Sequence, residues 1–255
     1  MPRLDALIAH NLGLSRAVVT RLVRHGRVQD TAGAPLRDGG LAVATEQLPL
    51  LVVVDGQPLT LRARMDLLQH KPLGCVTALR DAQHPTAYAL LEGAPLLADL
   101  RAVGRLDIDS TGLLLWTTDG ATVHRLTHPR RAVPRTYHVA LAGPWSEPPP
   151  GFTLADGYAP DIVELAAHDA GQMHPGLVTP DTARLFATIT VTSGRFHEVR
   201  RIFVELGSRV LGLCRVAYGA VRLPEDLAAG AWMPIEPGQV DQGQLDQDQP
   251  DSGAA

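Results

Sequence analysis

The chain has 255 residues, 23 Lys and Arg against 27 Asp and Glu, a formal net charge of −4 and 45% apolar residues. That content suffices for one large domain or, as expected here, a small domain joined to a larger one; the ordinary apolar fraction excludes a disordered or fibrous chain, and no run approaches the roughly 18 apolar residues of a spanning helix. The opening MPRLDALIAHN lacks the apolar stretch of a secretory signal, and Cys75 and Cys214 are too few for a disulfide framework or a four-cysteine zinc site, so a cytoplasmic protein with two buried free thiols is expected.

From residue 3 to 27 the charges are Arg3, Arg16, Arg21, Arg24 and Arg27 against Asp5 alone, within helical apolar spacing at Leu4, Leu7, Ile8, Leu22 and Val23. This predicts a small basic helical pair. Ser15 suits the N-cap of a second helix over residues 16–25, with Gly26 as its stop. Gly33, Pro35 and Gly39-Gly40 read as turns and residues 41–54 as short strands.

A second unit runs from about residue 62 to 236, with strand-like runs at 112–118, 136–141 and 185–191. Pro148-Pro149-Pro150 and residues 168–180 read as surface excursions. From Pro237 onward Gln, Asp, Gly and Pro dominate, so residues 237–255 are expected to be a disordered polar tail. Lys71 is the only lysine. It stands in His70-Lys71-Pro72, not in the Gly-Lys-Ser/Thr of a phosphate-binding loop, which excludes nucleoside triphosphate chemistry of that kind.

Three segments carry candidate chemistry. In Gly104-Arg105-Leu106-Asp107-Ile108-Asp109-Ser110-Thr111-Gly112 a polar loop precedes the apolar Leu113-Leu114-Leu115-Trp116. Composition alone makes Asp107 and Asp109 a solvated turn or a cap, but Arg105 and Asp107 flank an apolar Leu106, which invites a partly buried carboxylate held ionised by an arginine. In Pro134-Arg135-Thr136-Tyr137-His138-Val139-Ala140-Leu141, alternation places Tyr137, Val139 and Leu141 on one strand face. After Ser193-Gly194-Arg195, a helical spacing of about 100° per residue aligns Phe196, Val199, Phe203 and Leu206, with Arg200 beside that stripe and Arg201 toward the polar side. The ten histidines form no short-range ligand pair, so no metal site is expected.

Together these segments resemble the pseudouridine synthases, in particular the branch acting on bacterial small-subunit (16S) ribosomal RNA. GRLDIDSTGLLLWTTDG resembles that family's catalytic loop and following strand, Lys71-Pro72-Leu73-Gly74 its early Lys-Pro-x-Gly segment, Arg135-Thr136-Tyr137 its tyrosine motif, and Gly194 to Arg201 its late glycine-arginine motif. Arg3-Leu4-Asp5 and Gly13-Leu14-Ser15-Arg16 through Gly26-Arg27-Val28 resemble an S4-type RNA-binding domain. Arg135 departs from the family's usual lysine and Glu198 from its common glutamine.

The resemblance implies an α+β protein: an S4-like domain over residues 1–61, then a catalytic domain over 62–236 built on a long mixed or antiparallel sheet. It implies isomerisation of uridine to pseudouridine on a flipped-out nucleotide, without a cofactor. Asp107 would act at the sugar carbon as nucleophile or electrostatic partner, Tyr137 would stack on uracil, and Arg200 would pair with Asp107. Arg105, Lys71, Arg135, Arg195 and Phe196 would contact substrate, and Arg3, Arg16, Arg21, Arg24 and Arg27 would bind RNA. The implied partner is ribosomal RNA or a ribosome assembly intermediate, met by a monomer without a membrane. A large-subunit (23S) synthase of the same family, or an idle RNA-binding or assembly protein of the same fold, is the alternative.

Overall fold

In the computed structural model, which describes residues 1–236 and Gln239, the chain divides into two units, residues 1–65 with 93–100 and residues 66–92 with 101 onward. The tail expected over 237–255 lies, Gln239 apart, outside the described residues. Among the described residues no helix is long and apolar enough to cross a membrane.

In the first unit, α1 (Leu4–Leu12) ends on Gly13 in the left-handed conformation, φ 64°, where a side chain would be strained. Ser15 caps α2 (Arg16–Arg24), its Oγ accepting from the Val18 amide at 3.4 Å. The three-stranded antiparallel sheet has β1 (Val28–Gln29), β2 (Leu50–Val54) and β3 (Gln57–Leu61) in that order. Asp55 and Gly56 join β2 to β3 with φ of 53° and 77°, the two positive values that a tight hairpin needs. Leu4, Leu7, Ile8, Val19, Val23, Val28 and Val52 form the core. Within residues 41–54, all of which suggested short strands, the strand β2 begins only at Leu50. Residues 93–100 join this unit, with Asp99 bonded to His10 of α1.

The second unit is a nine-stranded mixed sheet. Its elements are β4 (Asp66–Lys71), β5 (Arg101–Val103), β6 (Thr111–Thr117), α3 (Gly120–Thr127), β7 (Arg135–Leu141), β8 (Ile162–His168), β9 (Leu185–Val191), α4 (Glu198–Glu205), β10 (Val210–Tyr218), β11 (Val221–Arg222) and β12 (Trp232–Ile235). The order is β12-β4-β6-β10-β7-β9-β8, with β5 on β6 and β11 on β10. Every pair is antiparallel except β6 with β10, where Gly112 faces Arg215 and Thr111 faces Cys214. Both central strands are nearly or wholly buried, which is why β6 reads as a continuous apolar run.

The parallel pair fixes the site. A Cβ on Gly112 would lie 2.3 Å from the Arg215 carbonyl oxygen and 2.6 Å from its nitrogen, and φ there is +109°. Only glycine lets β6 and β10 approach this closely at the point where the preceding loop enters the sheet.

Candidate active site

A loop that presents a carboxylate in a fixed direction must satisfy its own backbone first. Between Arg105 and Ser110 all six carbonyl oxygens accept hydrogen bonds from five residues outside the loop. Arg215 Nη1 takes Arg105 at 3.3 Å, Thr77 Oγ1 takes Leu106 at 2.9 Å, and Lys71 Nζ takes both Asp107 at 2.9 Å and Ser110 at 2.8 Å. The Gly74 amide takes Ile108 at 2.8 Å and Arg200 Nη2 takes Asp109 at 3.0 Å. Thr77 works in both directions, its Oγ1 also accepting from the Leu106 amide at 3.0 Å.

Lys71 is therefore not a substrate contact as expected. It is fully buried, with a third bond to the Pro72 carbonyl at 3.1 Å. Burial pushes its ammonium down to about 8, partly opposed by Cys75, Asp107 and Asp109. Its position at the end of β4, paired with Gly112 of β6, aims Nζ under the loop.

Arg135 likewise turns inward. Its side chain donates to the carbonyls of Thr192 (2.9 Å) and Ser193 (2.7 Å) and to the Tyr218 hydroxyl (2.9 Å), and the residue is 8% exposed. The expected contact with substrate is replaced by support of the 192–194 turn, a task that the forked guanidinium suits better than a lysine.

The expected pairing of Arg200 with Asp107 is not found. Arg200 Nη2 lies 3.0 Å from Asp109 Oδ2, while Asp107 Oδ2 has His197 Nε2 at 3.7 Å, with the Asp107 side chain one-third exposed. Helical spacing did identify Arg200, but it cannot choose between carboxylates two residues apart. The apolar stripe also starts later than expected. The helix begins at Glu198, so Phe196 lies outside it and is 76% exposed, whereas Val199, Phe203 and Leu206 are buried.

Residues 192–197 are held from beneath. Buried Glu198 accepts from the Ser193 hydroxyl and from the Arg195 amide. The Arg195 guanidinium stacks 3.7 Å over the Tyr158 ring, and the Phe196 and His197 rings stack at 3.8 Å and 18°. Tyr137, buried on β7, faces Arg215 across the strand pair. Since Arg215 in turn faces Gly112, Tyr137 belongs to the same row of the sheet as the end of the loop. Arg105 is exposed. Sequence reasoning missed Thr77, Arg215 and His197, which carry no signal apart from the pairings and turns that bring them to the loop.

In the first unit the five expected arginines are all exposed. Arg3 and Arg16 lie 2.8 and 3.3 Å from the buried Asp5 carboxylate, which Arg3 above all holds below the usual carboxylate range. Arg27 pairs with Asp55, and Arg21 and Arg27 border a depression with Val18, Leu22 and His25.

A nine-stranded mixed sheet with an aspartate loop anchored at the head of its parallel pair defines a class, and comparison with known proteins identifies it. The family described as RNA pseudouridylate synthase matches residues 67–205. The chain belongs to that family. It is 36% identical over 239 residues to the ribosomal small subunit pseudouridine synthase A of Salmonella typhimurium, covering 91% of this chain and 96% of that protein. The protein of that name from Haemophilus influenzae is 32% identical over 240 residues, 94% and 98% of the two chains. A solved structure described as a pseudouridylate synthase superimposes with a TM-score of 0.54 at 31% identity, covering 95% of this chain and all of that one.

Proposed function

We propose that this chain converts a uridine of small-subunit ribosomal RNA to pseudouridine, with Asp107 as the catalytic carboxylate. The observation that carries this reading is the anchored loop. With six consecutive carbonyls already satisfied, the loop holds the Asp107 carboxylate, one-third exposed, in a set direction where a substrate can meet it. The names of the relatives supply the small-subunit assignment.

The reaction breaks the bond from C1′ to N1 of uridine, turns the uracil and joins C1′ to C5; the proton leaving C5 is balanced by one gained at N1. No electrons are exchanged with a cofactor. Asp107 acts at C1′ as nucleophile or as a fixed negative charge, and its preset direction removes the cost of reorganising a flexible loop. Tyr137 stacks on the uracil. Arg200 acts through Asp109, not Asp107, as a positioning residue. Arg105, Arg195 and Phe196 form the surface that receives the extruded nucleotide and its neighbours.

The first unit serves as an S4-like RNA-binding module, with Arg16, Arg21, Arg24 and Arg27 on the phosphates and Arg3 securing Asp5 beside them. The enzyme works in the cytoplasm as a monomer on ribosomal RNA or an assembly intermediate. Mapping pseudouridine in ribosomal RNA from cells lacking the protein, then after restoring the parent or Asp107→Asn, tests the assignment. A small-subunit site lost on deletion and restored by the parent alone is expected. Loss confined to large-subunit RNA would overturn the substrate assignment, and restoration by Asp107→Asn would overturn the role of Asp107.

A further inference from the structure

His197 stands at the start of α4 with φ 52° and ψ 28°, a left-handed conformation that side chains rarely adopt. Such a conformation persists where the surroundings determine it and is a pointer to function when it aims a side chain. Here the surroundings are explicit. Arg135 holds the Thr192 and Ser193 carbonyls on one side, and Glu198 holds the Ser193 hydroxyl and the Arg195 amide on the other. The outcome is that His197 Nε2 faces Asp107 Oδ2 at 3.7 Å.

The His197 ring also carries the Phe196 ring, stacked at 3.8 Å and 18°. Phe196 is 76% exposed, and among the described residues no other Phe, Tyr or Trp is exposed. One face of the ring rests on His197 and the other is open. Next to it, Arg195 lies over Tyr158 at 3.7 Å, a cation whose remaining N–H groups can meet a phosphate.

We infer that His197 is a positioning residue for Asp107, and that the open face of Phe196 seats an unpaired base adjoining the target uridine. This rests on the reading of Asp107 as the catalytic carboxylate. When a nucleotide leaves its stack, its neighbour loses a stacking partner, and an aromatic face restores that contact for any base. Because the platform and the Asp107 contact share the His197 ring, seating the neighbour brings the uridine to the carboxylate in a set register.

The test uses the full-length protein with a small-subunit ribosomal RNA transcript for kinetics, and a short uridine-containing RNA with 2-aminopurine beside the uridine for stacking. Phe196→Leu is expected to raise KM about tenfold with kcat little changed and to lose quenching of the 2-aminopurine, while Phe196→Trp retains both. His197→Asn, compatible with the left-handed backbone, is expected to lower kcat at least about tenfold with a much smaller change in KM. A merely structural role would move melting temperature and both constants together. Parent KM and quenching in Phe196→Leu would overturn the base seat, and parent kcat in His197→Asn would overturn the positioning role. If the parent modified no RNA, the catalytic reading would fall and the role of His197 with it, while quenching would still decide the base seat. If the parent modified RNA and both variants matched it, this inference alone would fall.

Discussion

Arg200 grips Asp109 at two points, with Nη2 3.0 Å from the carboxylate oxygen and 3.0 Å from the backbone oxygen. The two aspartates of the loop thereby divide their work, one fastened by Arg200 and the other facing His197. Asp107→Asn is expected to abolish pseudouridine formation with melting temperature and RNA affinity near the parent's. Asp109→Asn is expected to keep part of the turnover and to cost about 1 kcal/mol or less of stability, since the pair is partly exposed. Single-turnover assays with carbodiimide mapping, alongside thermal denaturation, check both. Near-parent turnover in Asp107→Asn would remove the proposed mechanism.

The neighbouring arginines make a second contrast. Arg201 pairs at 2.7 Å with Asp156 on the surface, far from the loop in its bonding, whereas Arg200 holds the Asp109 carbonyl. Arg200→Ala is expected to lower kcat at least about tenfold through a loosened loop, and Arg201→Ala to leave it near the parent's. Equal turnover in two folded variants would show that the Asp109 anchor is dispensable.

Lys71→Met should be a stability variant first. Methionine fills the space but donates nothing to the Pro72, Asp107 and Ser110 carbonyls. Two or three buried acceptors weakened or left bare cost about 3 kcal/mol. Urea denaturation reads the loss, and an unchanged midpoint would mean that water replaces the ammonium.

His138 sets a pH dependence. Its Nδ1 accepts from the His174 amide at 2.8 Å, and burial, aided by His174 and His168, pushes its pKa from 6.5 down to about 4. Between those values the unfolded chain binds the proton and the folded chain resists it, so this stability is present above pH 6.5 and is lost as pH falls toward 4. After solvent screening the loss is on the order of 1 kcal/mol. Melting temperature against pH should fall over this window and fall less in His138→Asn; parallel curves would assign the loss to other groups.

Gly112→Ala tests the close approach of β6 and β10. A methyl group 2.3 Å from the Arg215 oxygen must push the strands apart, in a backbone conformation already strained for alanine. The expected loss is about 4 kcal/mol or more, seen as a collapsed melting temperature or as insoluble protein. A variant with parent stability would mean that the parallel pair tolerates separation.

Much of this architecture was legible in the sequence because it is local. Ser15 caps α2 as its type and place suggest, the strand-like run 185–191 forms β9, and the buried run after Gly112 forms β6. The site was legible only in its named segments. Lys71 was found by resemblance, but its burial follows from the pairing of β4 with β6, which local pattern does not encode. Arg215 interrupts an apolar run in β10 and reads as noise until the parallel register brings it to Leu113 and Arg105. Helical spacing does not place Phe196, because it lies across a turn from α4 and the left-handed His197 ends any such periodicity.

Residues 93–100 belong by their contacts to the first unit although residues 66–92 and 101 onward belong to the second. The polypeptide therefore passes between the units at three places, and the smaller unit is assembled from two separate stretches of sequence. A cut at residue 61 or 65 would not release the second unit cleanly, because it leaves the 93–100 strip attached with Leu96 and Leu100, buried in the intact chain, stripped of their unit. Exchange of the first unit with that of another protein, in the laboratory or by recombination, is consequently a two-piece transplant, and a one-piece swap should yield a sticky, aggregation-prone product.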